Sequence, residues 1–261
     1  MVLILTSGLA LADSPALERA FEPGGFFRPY PGRPGRYRSF ESFTRGYHIR
    51  PTESRRTIVL VPIGELPSEL ELEPLVGFLE AFFQVPARVS EGRETGPSGL
   101  IGKWSADAIQ RSLRADLPPD ALSVLGLTMV DLYAEDSDPR RQLFGQGHYY
   151  NRTAVASLNR LHTRHSELLY HRAFKLAAHE LTHTFGLRHC TRYRCLMNSS
   201  GSVAQSDARP LELCPECLRR LHHLVGFDPV ERCQDLNEAT RIALPEDSEW
   251  FRARHGFLIA P

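Results

Sequence analysis

The chain has 261 residues, enough to bury a full core as one large domain or two lobes. Its 42% apolar and 24% charged content is ordinary for a folded globular protein, which excludes a low-complexity or disordered chain. Lys plus Arg and Asp plus Glu both number 31, so no net charge favours nucleic acid or an anionic membrane, and no apolar run reaches the ~18 residues that span a bilayer.

Taken in order, residues 2–12 are apolar and end in Ala10-Leu11-Ala12, which is similar to a signal-peptide core with a small-residue cleavage site. No Lys or Arg precedes them, so a first buried strand or helix is the preferred expectation, with export as the alternative. Residues 1–56 are expected to form an irregular N-terminal extension. From Arg28 to Arg56 there are eight Arg against two Glu, interleaved with Pro, Gly and aromatics that helix and strand interiors exclude. A wrap over the domain, with packed aromatics and solvated arginines, is preferred to a docking arm for an acidic partner or nucleic acid.

Thr57–Ile63 reads as a buried strand, Pro74–Gln84 as a buried helix with Pro in its first turn, and Val85–Val89 as a second short strand. Residues 90–102 read as a loop, Ser105–Leu113 as a capped amphipathic helix, and Leu122–Val130 as the clearest core strand. Strands alternating with helices give an α/β class. The carboxylates of Glu135, Asp136 and Asp138 lack the spacing of a calcium loop and read as a solvated turn. Phe144–Gly147 reads as a sharp turn and Thr153–Leu161 as an edge strand, a place where an extended peptide could pair. Leu168–Leu187 reads as the central helix, Ser200–Pro210 as a polar loop, Leu213–Val225 as a helix closed by Gly226, and Pro229–Ile242 as the last helix before a tail at 246–261.

The central helix carries His179-Glu180-x-x-His183-x-x-Gly186-x-x-His189. Histidines four apart share one helix face, and Gly186 lets the chain turn in a left-handed conformation so that His189 can return as a third ligand. Three neutral nitrogens leave a fourth metal position open, the mark of a catalytic zinc site, and Glu180 beside them is the expected general base for water. The five cysteines fit a disulfide framework badly. Cys214-Pro-Glu-Cys217 and the Cys190/Cys195 pair have structural-zinc spacings, and thiolate ligands favour a reducing, cytoplasmic setting.

With Cys190 directly after His189, then Cys195, Met197, Cys214 and Cys217, the pattern resembles the archaemetzincins, a branch of the metzincin zinc peptidases. The likeness extends over residues 122–147 and 173–240, notably Val124–Tyr133, Leu143–Gln146, Arg209–Cys217 and Val225–Phe227, while residues 1 to about 50 lie outside it. It implies a metzincin-like fold over residues 57–245, with a mixed twisted sheet and helices above the cleft (57–188) and a smaller zinc-stabilised lobe below (189–245). It implies a catalytic zinc on His179, His183 and His189, with Glu180 as base and acid. It further implies a structural zinc on Cys190, Cys195, Cys214 and Cys217, making two Zn2+ per chain, and Met197 as an apolar floor beneath the histidines. Cys233 is left as a buried thiol, and His222 and His223 as structural or exposed. The expected activity is hydrolysis of short peptides, with the aminopeptidase mode that the resemblance brings with it, by a monomer with no nucleic-acid or membrane partner. A zinc-stabilised binding module with little turnover is the alternative, and a non-peptidic hydrolase a third. No second electrophile for the oxyanion stands out in the sequence.

Overall fold

The computed structural model describes residues 14–33, 35, 38–94, 100 and 102–260; the signal-like stretch 2–12 lies outside them. A five-stranded sheet is built from β1 (Thr57–Ile63), β2 (Ala87–Val89), β4 (Ala121–Thr128), β6 (Gly145–Gly147) and β7 (Thr153–Ser157), in the order β2-β1-β4-β7-β6. The first four strands of that order are parallel and β6 is antiparallel, which makes the sheet mixed. β3 (Trp104–Ser105) and β5 (Leu132–Tyr133) form a separate two-stranded pair.

Period-two alternation divides β1 between two cores. Val59, Val61 and Ile63 meet Ile109 and Leu113 of α4 (Ala106–Ala115) on one face. Ile58 and Leu60 join the larger core of α3 (Leu72–Phe83) and α5 (Ser166–Thr184) on the other. Phe78 stacks on Phe174 at 4.5 Å and Phe83 on Phe185 at 5.3 Å, fixing α3 against α5. Ser105 caps α4 by accepting from the Ala108 N–H. Glu135 accepts from Ser105 and from both terminal nitrogens of Arg111, so the acidic turn spends its charge on neighbouring side chains.

Several elements differ from expectation. β7 is not an edge strand: it lies between β4 and β6, with all five residues buried. The edge is the Gly-Gln-Gly segment expected as a turn. Its glycines hid a strand because the strand lies so close to α5 that side chains are excluded. The extension contains two short helices, α1 (Pro15–Ala20) and α2 (Phe40–Thr44), each capped by a serine, and the polar loop at 200–210 contains α6 (Val203–Asp207). α7 (Pro215–Val225) ends at Gly226 with φ +80°, and α8 (Pro229–Thr240) follows. α8 is not the last helix. Of the segment expected as a tail, residues 246–259 are helical within α9 (Pro245–Ile259), which packs on α8 and α1. Arg254 of α9 is nearly fully buried, donates to the carbonyls of Arg19, Ala20 and Glu22, and lies over Phe26, Phe27 and Phe257. Among the described residues no helix is long and apolar enough to cross a membrane.

Candidate metal centre and active site

From Ala173 to Thr184 every residue of α5 is buried, because the helix runs between the sheet core and the segments that follow it. His179 and His183 lie one turn apart on it, with ring centroids 4.7 Å apart. The helix stops at Phe185, Gly186 takes φ +88°, and the chain turns to bring the His189 ring to 5.3 Å from His179 and 4.9 Å from His183. One nitrogen from each of the three lies within 4.8 Å of the others. His189 reaches solvent at one edge while its ring packs against the other two.

The surroundings suit a metal. Nδ1 of His183 is 2.7 Å from the Leu187 carbonyl and Nδ1 of His179 is 2.8 Å from the Leu196 carbonyl. Each contact requires the proton on Nδ1, which leaves Nε2 as a free lone pair for an ion. Burial pushes the His179 and His183 imidazoles far toward the neutral form, and it lowers His189 as well. The Arg209 guanidinium acts in the same direction on all three. It is buried, donates to the Asn198 carbonyl and the Ser206 hydroxyl, and sits 2.9 Å from Nδ1 of His179. Since Nδ1 carries its proton toward Leu196, that last contact is one of charge and packing rather than a donated bond.

Glu180 is 5% exposed, and burial raises its carboxyl to about 8 against the opposing pull of Arg209. β6 lies over it: a Cβ built on Gly145 would stand 2.7 Å from the Glu180 Cγ, and one on Gly147 would stand 2.1 Å from the Glu180 carbonyl oxygen. The Gly147 N–H faces the Glu180 carboxylate. Tyr149, just beyond β6, sits edge-on to His183 at 5.5 Å under the Arg188 guanidinium, and burial keeps its phenol protonated.

The four cysteines Cys190, Cys195, Cys214 and Cys217 are buried, unbridged and mutually within 4.8 Å at sulfur. The Cys190 and Cys214 sulfurs are 3.7 Å apart, close to the ~3.8 Å edge of a tetrahedron with ~2.3 Å zinc–sulfur bonds. Hydrogen bonds from Cys195, Cys214 and Cys217 favour the Cys190 thiolate, whereas burial pushes Cys195 up and its neighbouring sulfurs push Cys217 up. Four buried sulfur donors at this spacing fit a divalent metal, whose charge would hold them as thiolates. Asn198 ties the loop together, accepting from the Cys195 N–H and donating to the carbonyls of Cys190 and Tyr193. Met197 is fully buried, and its carbonyl accepts from the Cys190 N–H. Cys233 is buried away from this quartet, with its thiol pushed up to about 12 by burial. His222 packs on Phe21 and Phe227, and His223 contacts Arg50, so neither joins the metal groups.

Arg209, Asn198 and Tyr149 were not expected as site residues. Asn198 and Tyr149 carry no spacing signal, and Arg209 stood only inside a stretch resembling the family. Their roles depend on contacts between distant segments.

A glutamate between two neutral helical histidines, with a third histidine returned by a glycine turn over a mixed sheet, makes this protein a zinc metallopeptidase. The model of peptidase family M54 matches residues 106–223. Archaemetzincin-2 of Mus musculus is 30% identical over 256 residues, covering 79% of this chain and 69% of its own length. The archaemetzincin of Pyrococcus furiosus is 32% identical, covering 66% of this chain and 95% of its own. In structure, the chain is similar to the archaemetzincin of Methanopyrus kandleri, with a TM-score of 0.57, 31% identity, and coverage of 66% of this chain and 97% of that one. The chain belongs to the archaemetzincins.

Proposed function

We propose that the protein hydrolyses short peptides, with His179, His183 and His189 holding the catalytic zinc and Glu180 serving as general base and then general acid. The observation that carries this reading is the convergence of three neutral imidazoles beside a buried carboxyl of raised proton affinity. Zinc bound there would supply a Lewis acid for the peptide carbonyl and acidify a water. Glu180 takes the proton of the attacking water and returns it to the leaving amine, a task that suits a carboxyl raised by burial. The Leu187 and Leu196 carbonyls hold the two helical imidazoles in the tautomer that presents Nε2. Tyr149 contributes a neutral O–H at the margin of the site, the donor the sequence had left unassigned. The edge strand β6, adjacent to Glu180, offers a backbone for an extended peptide. Cys190, Cys195, Cys214 and Cys217 hold a second, structural zinc, giving two ions per chain.

The test is zinc per chain by elemental analysis together with cleavage of a short-peptide panel. Wild type should carry two zinc ions and cleave. Glu180→Gln should keep both ions and lose turnover. Undiminished turnover in Glu180→Gln would remove Glu180 from the mechanism, and a fully loaded wild type that cleaves nothing would leave the binding-module alternative.

A further inference from the structure

Two of the three imidazoles are held by carbonyls of their own, His183 by Leu187 and His179 by Leu196. Among the described residues no hydrogen bond holds the His189 ring, so its direction is set by the backbone turn that starts at Gly186. That turn is met from outside by His48 of the N-terminal extension. A Cβ built on Gly186 would stand 2.5 Å from the His48 Nδ1 and 3.2 Å from its Cε1, so the imidazole fills the space a side chain would need. Glycine at 186 is thus required twice, by φ +88° and by the imidazole.

His48 is itself held in place. Its Nε2 is 2.6 Å from the Phe43 carbonyl and carries the proton, which leaves a lone pair on Nδ1. That Nδ1 is buried against the turn without a hydrogen-bond partner. A lone pair buried without a donor costs the fold free energy, and what the chain gains there is contact with the turn. The ring lies on Phe43 with centroids 4.0 Å apart and planes inclined by 31°, and Phe43 is 2% exposed. Directly after His48, Ile49 enters the main core and Arg50 donates to the His223 carbonyl of α7 at 2.8 Å. The imidazole is therefore wedged between a buried aromatic ring and the glycine turn, on a segment tied to α7.

We propose that His48 is a positioning residue for the catalytic zinc: the N-terminal extension braces the Gly186 turn and through it aims His189 at the metal. This inference rests on the reading of His179, His183 and His189 as the zinc ligands. His189 follows the glycine by three residues, so a small rotation at the turn reaches the ring as a displacement that metal geometry does not tolerate. The brace comes from outside residues 106–223, the stretch that the family model matches.

The experiment reads metal retention in the full chain rather than turnover. Zinc release to a colorimetric chelator is timed for wild type, His48→Ala and His48→Gln. The cobalt-substituted proteins are compared by visible absorption, where nitrogen-ligated and thiolate-ligated cobalt give separate bands. His48→Ala should release the histidine-site ion roughly 10- to 100-fold faster, the usual effect of losing a residue that orients a ligand. Its histidine-site cobalt band should shift while the thiolate bands stay as in wild type. His48→Gln should recover part of the retention, since its amide can donate to the Phe43 carbonyl and fill the space beside Gly186. Ser14→Ala removes the cap of α1 in the same extension and controls for a general loss of stability; it should leave retention and spectrum as in wild type. Wild-type retention and an unshifted band in folded His48→Ala overturn the proposal. So does faster release from both sites together, or an equal effect of Ser14→Ala. Should His48→Ala not fold, His48→Asn, which keeps the polar group but draws it back from the Phe43 carbonyl, is read by the same criteria. Wild type that takes up cobalt at the thiolates alone overturns the zinc reading and this proposal with it, a failure told apart without any variant.

Discussion

Gly145→Ala tests whether β6 positions the glutamate. A methyl group at Gly145 would stand 2.7 Å from the Glu180 Cγ and 2.8 Å from both its carboxyl carbon and Oε1. Ordinary contact begins at 3.4 Å, so the carboxylate must retreat by about 0.7 Å. Misplacement on the order of 1 Å costs up to ~100-fold in rate, and a whole general base contributes ~100- to 10,000-fold. Gly145→Ala is therefore expected to lower kcat by roughly 10- to 100-fold with little change in KM and unaltered zinc content. The strain should cost ~1–3 kcal/mol, seen as a modest fall in melting temperature. The double variant with Glu180→Gln should be no slower than Glu180→Gln alone, because both act through one carboxylate. Gly147→Ala is different in kind, since its methyl meets the backbone oxygen of Glu180 at 2.1 Å and the strand itself must move; loss of folded protein is expected there. A Gly145→Ala enzyme within about threefold of wild-type kcat and equally stable would refute the account of β6.

Arg232 is 1% exposed, donates to both carboxylate oxygens of Glu212 and to the Phe82 carbonyl, and so joins α8 to α3 and to the segment before Cys214. Arg232→Met should strand a buried carboxylate at a cost of ~3–5 kcal/mol, lowering the melting temperature by on the order of 10 °C, with partial recovery when Glu212→Gln is added. Lys175, wholly buried, donates to the carbonyls of Ser206, Asp207 and Arg209; Lys175→Met should cost ~2–4 kcal/mol in chemical denaturation and raise amide exchange in α6. Hydrogen bonds from Arg111 and then Ser105 hold the Glu135 carboxyl near 2, below its ordinary 4.5. A depressed acid stabilises the fold above the higher value and loses that contribution as pH falls toward the lower, so protection of the first turn of α4 should weaken between about pH 4.5 and 2 in exchange experiments. Cys214→Ser/Cys217→Ser should release one zinc ion and weaken retention of the other by ~10- to 100-fold in chelator competition, because the loop that supports His179 would loosen.

What the sequence made legible was whatever the chain carries locally. The histidine motif is encoded by helical spacing plus one glycine, and the cysteine quartet by two short-range pairs, so both groups converge as their spacings imply. Strand β1 and helices α3, α4, α5 and α7 follow from apolar patterning and caps. β6 was hidden because its glycines answer a tertiary demand, the approach of α5, that local propensity cannot express. β7 reads equally well as an edge strand because Thr-Ala-Val-Ala-Ser has no strongly polar face to reveal that both sides are covered. α9 escaped notice for a related reason: Trp250 and Arg254 serve the extension while Phe251 and Leu258 enter the main core, so no single stripe stands out. Arg209, Lys175 and Arg232 act 20 or more residues along the chain, or between helices, where periodicity carries no information.

The histidine and cysteine groups share a support. His189 and Cys190 are adjacent, so fixing the sulfur fixes the end of the segment that returns the imidazole. The same loop ends at Leu196, whose carbonyl holds the His179 ring and whose N–H donates to the Glu212 carbonyl. Glu212 is in turn held by Arg232 of α8, and Arg232 by the Phe82 carbonyl of α3. A continuous set of hydrogen bonds thus runs from the active-site imidazole through the cysteine loop to two helices of the core. Its rigidity matters because a metal ligand displaced by a fraction of an ångström changes both affinity and the tuning of bound water. The exposed arginines Arg188, Arg192 and Arg194 leave Leu187, Leu196 and Met197 to anchor this loop in the core. With the structural zinc we propose, a four-thiolate site would supply further order there, and burial of the four sulfurs beside Met197 keeps the support within the core rather than at the solvent edge.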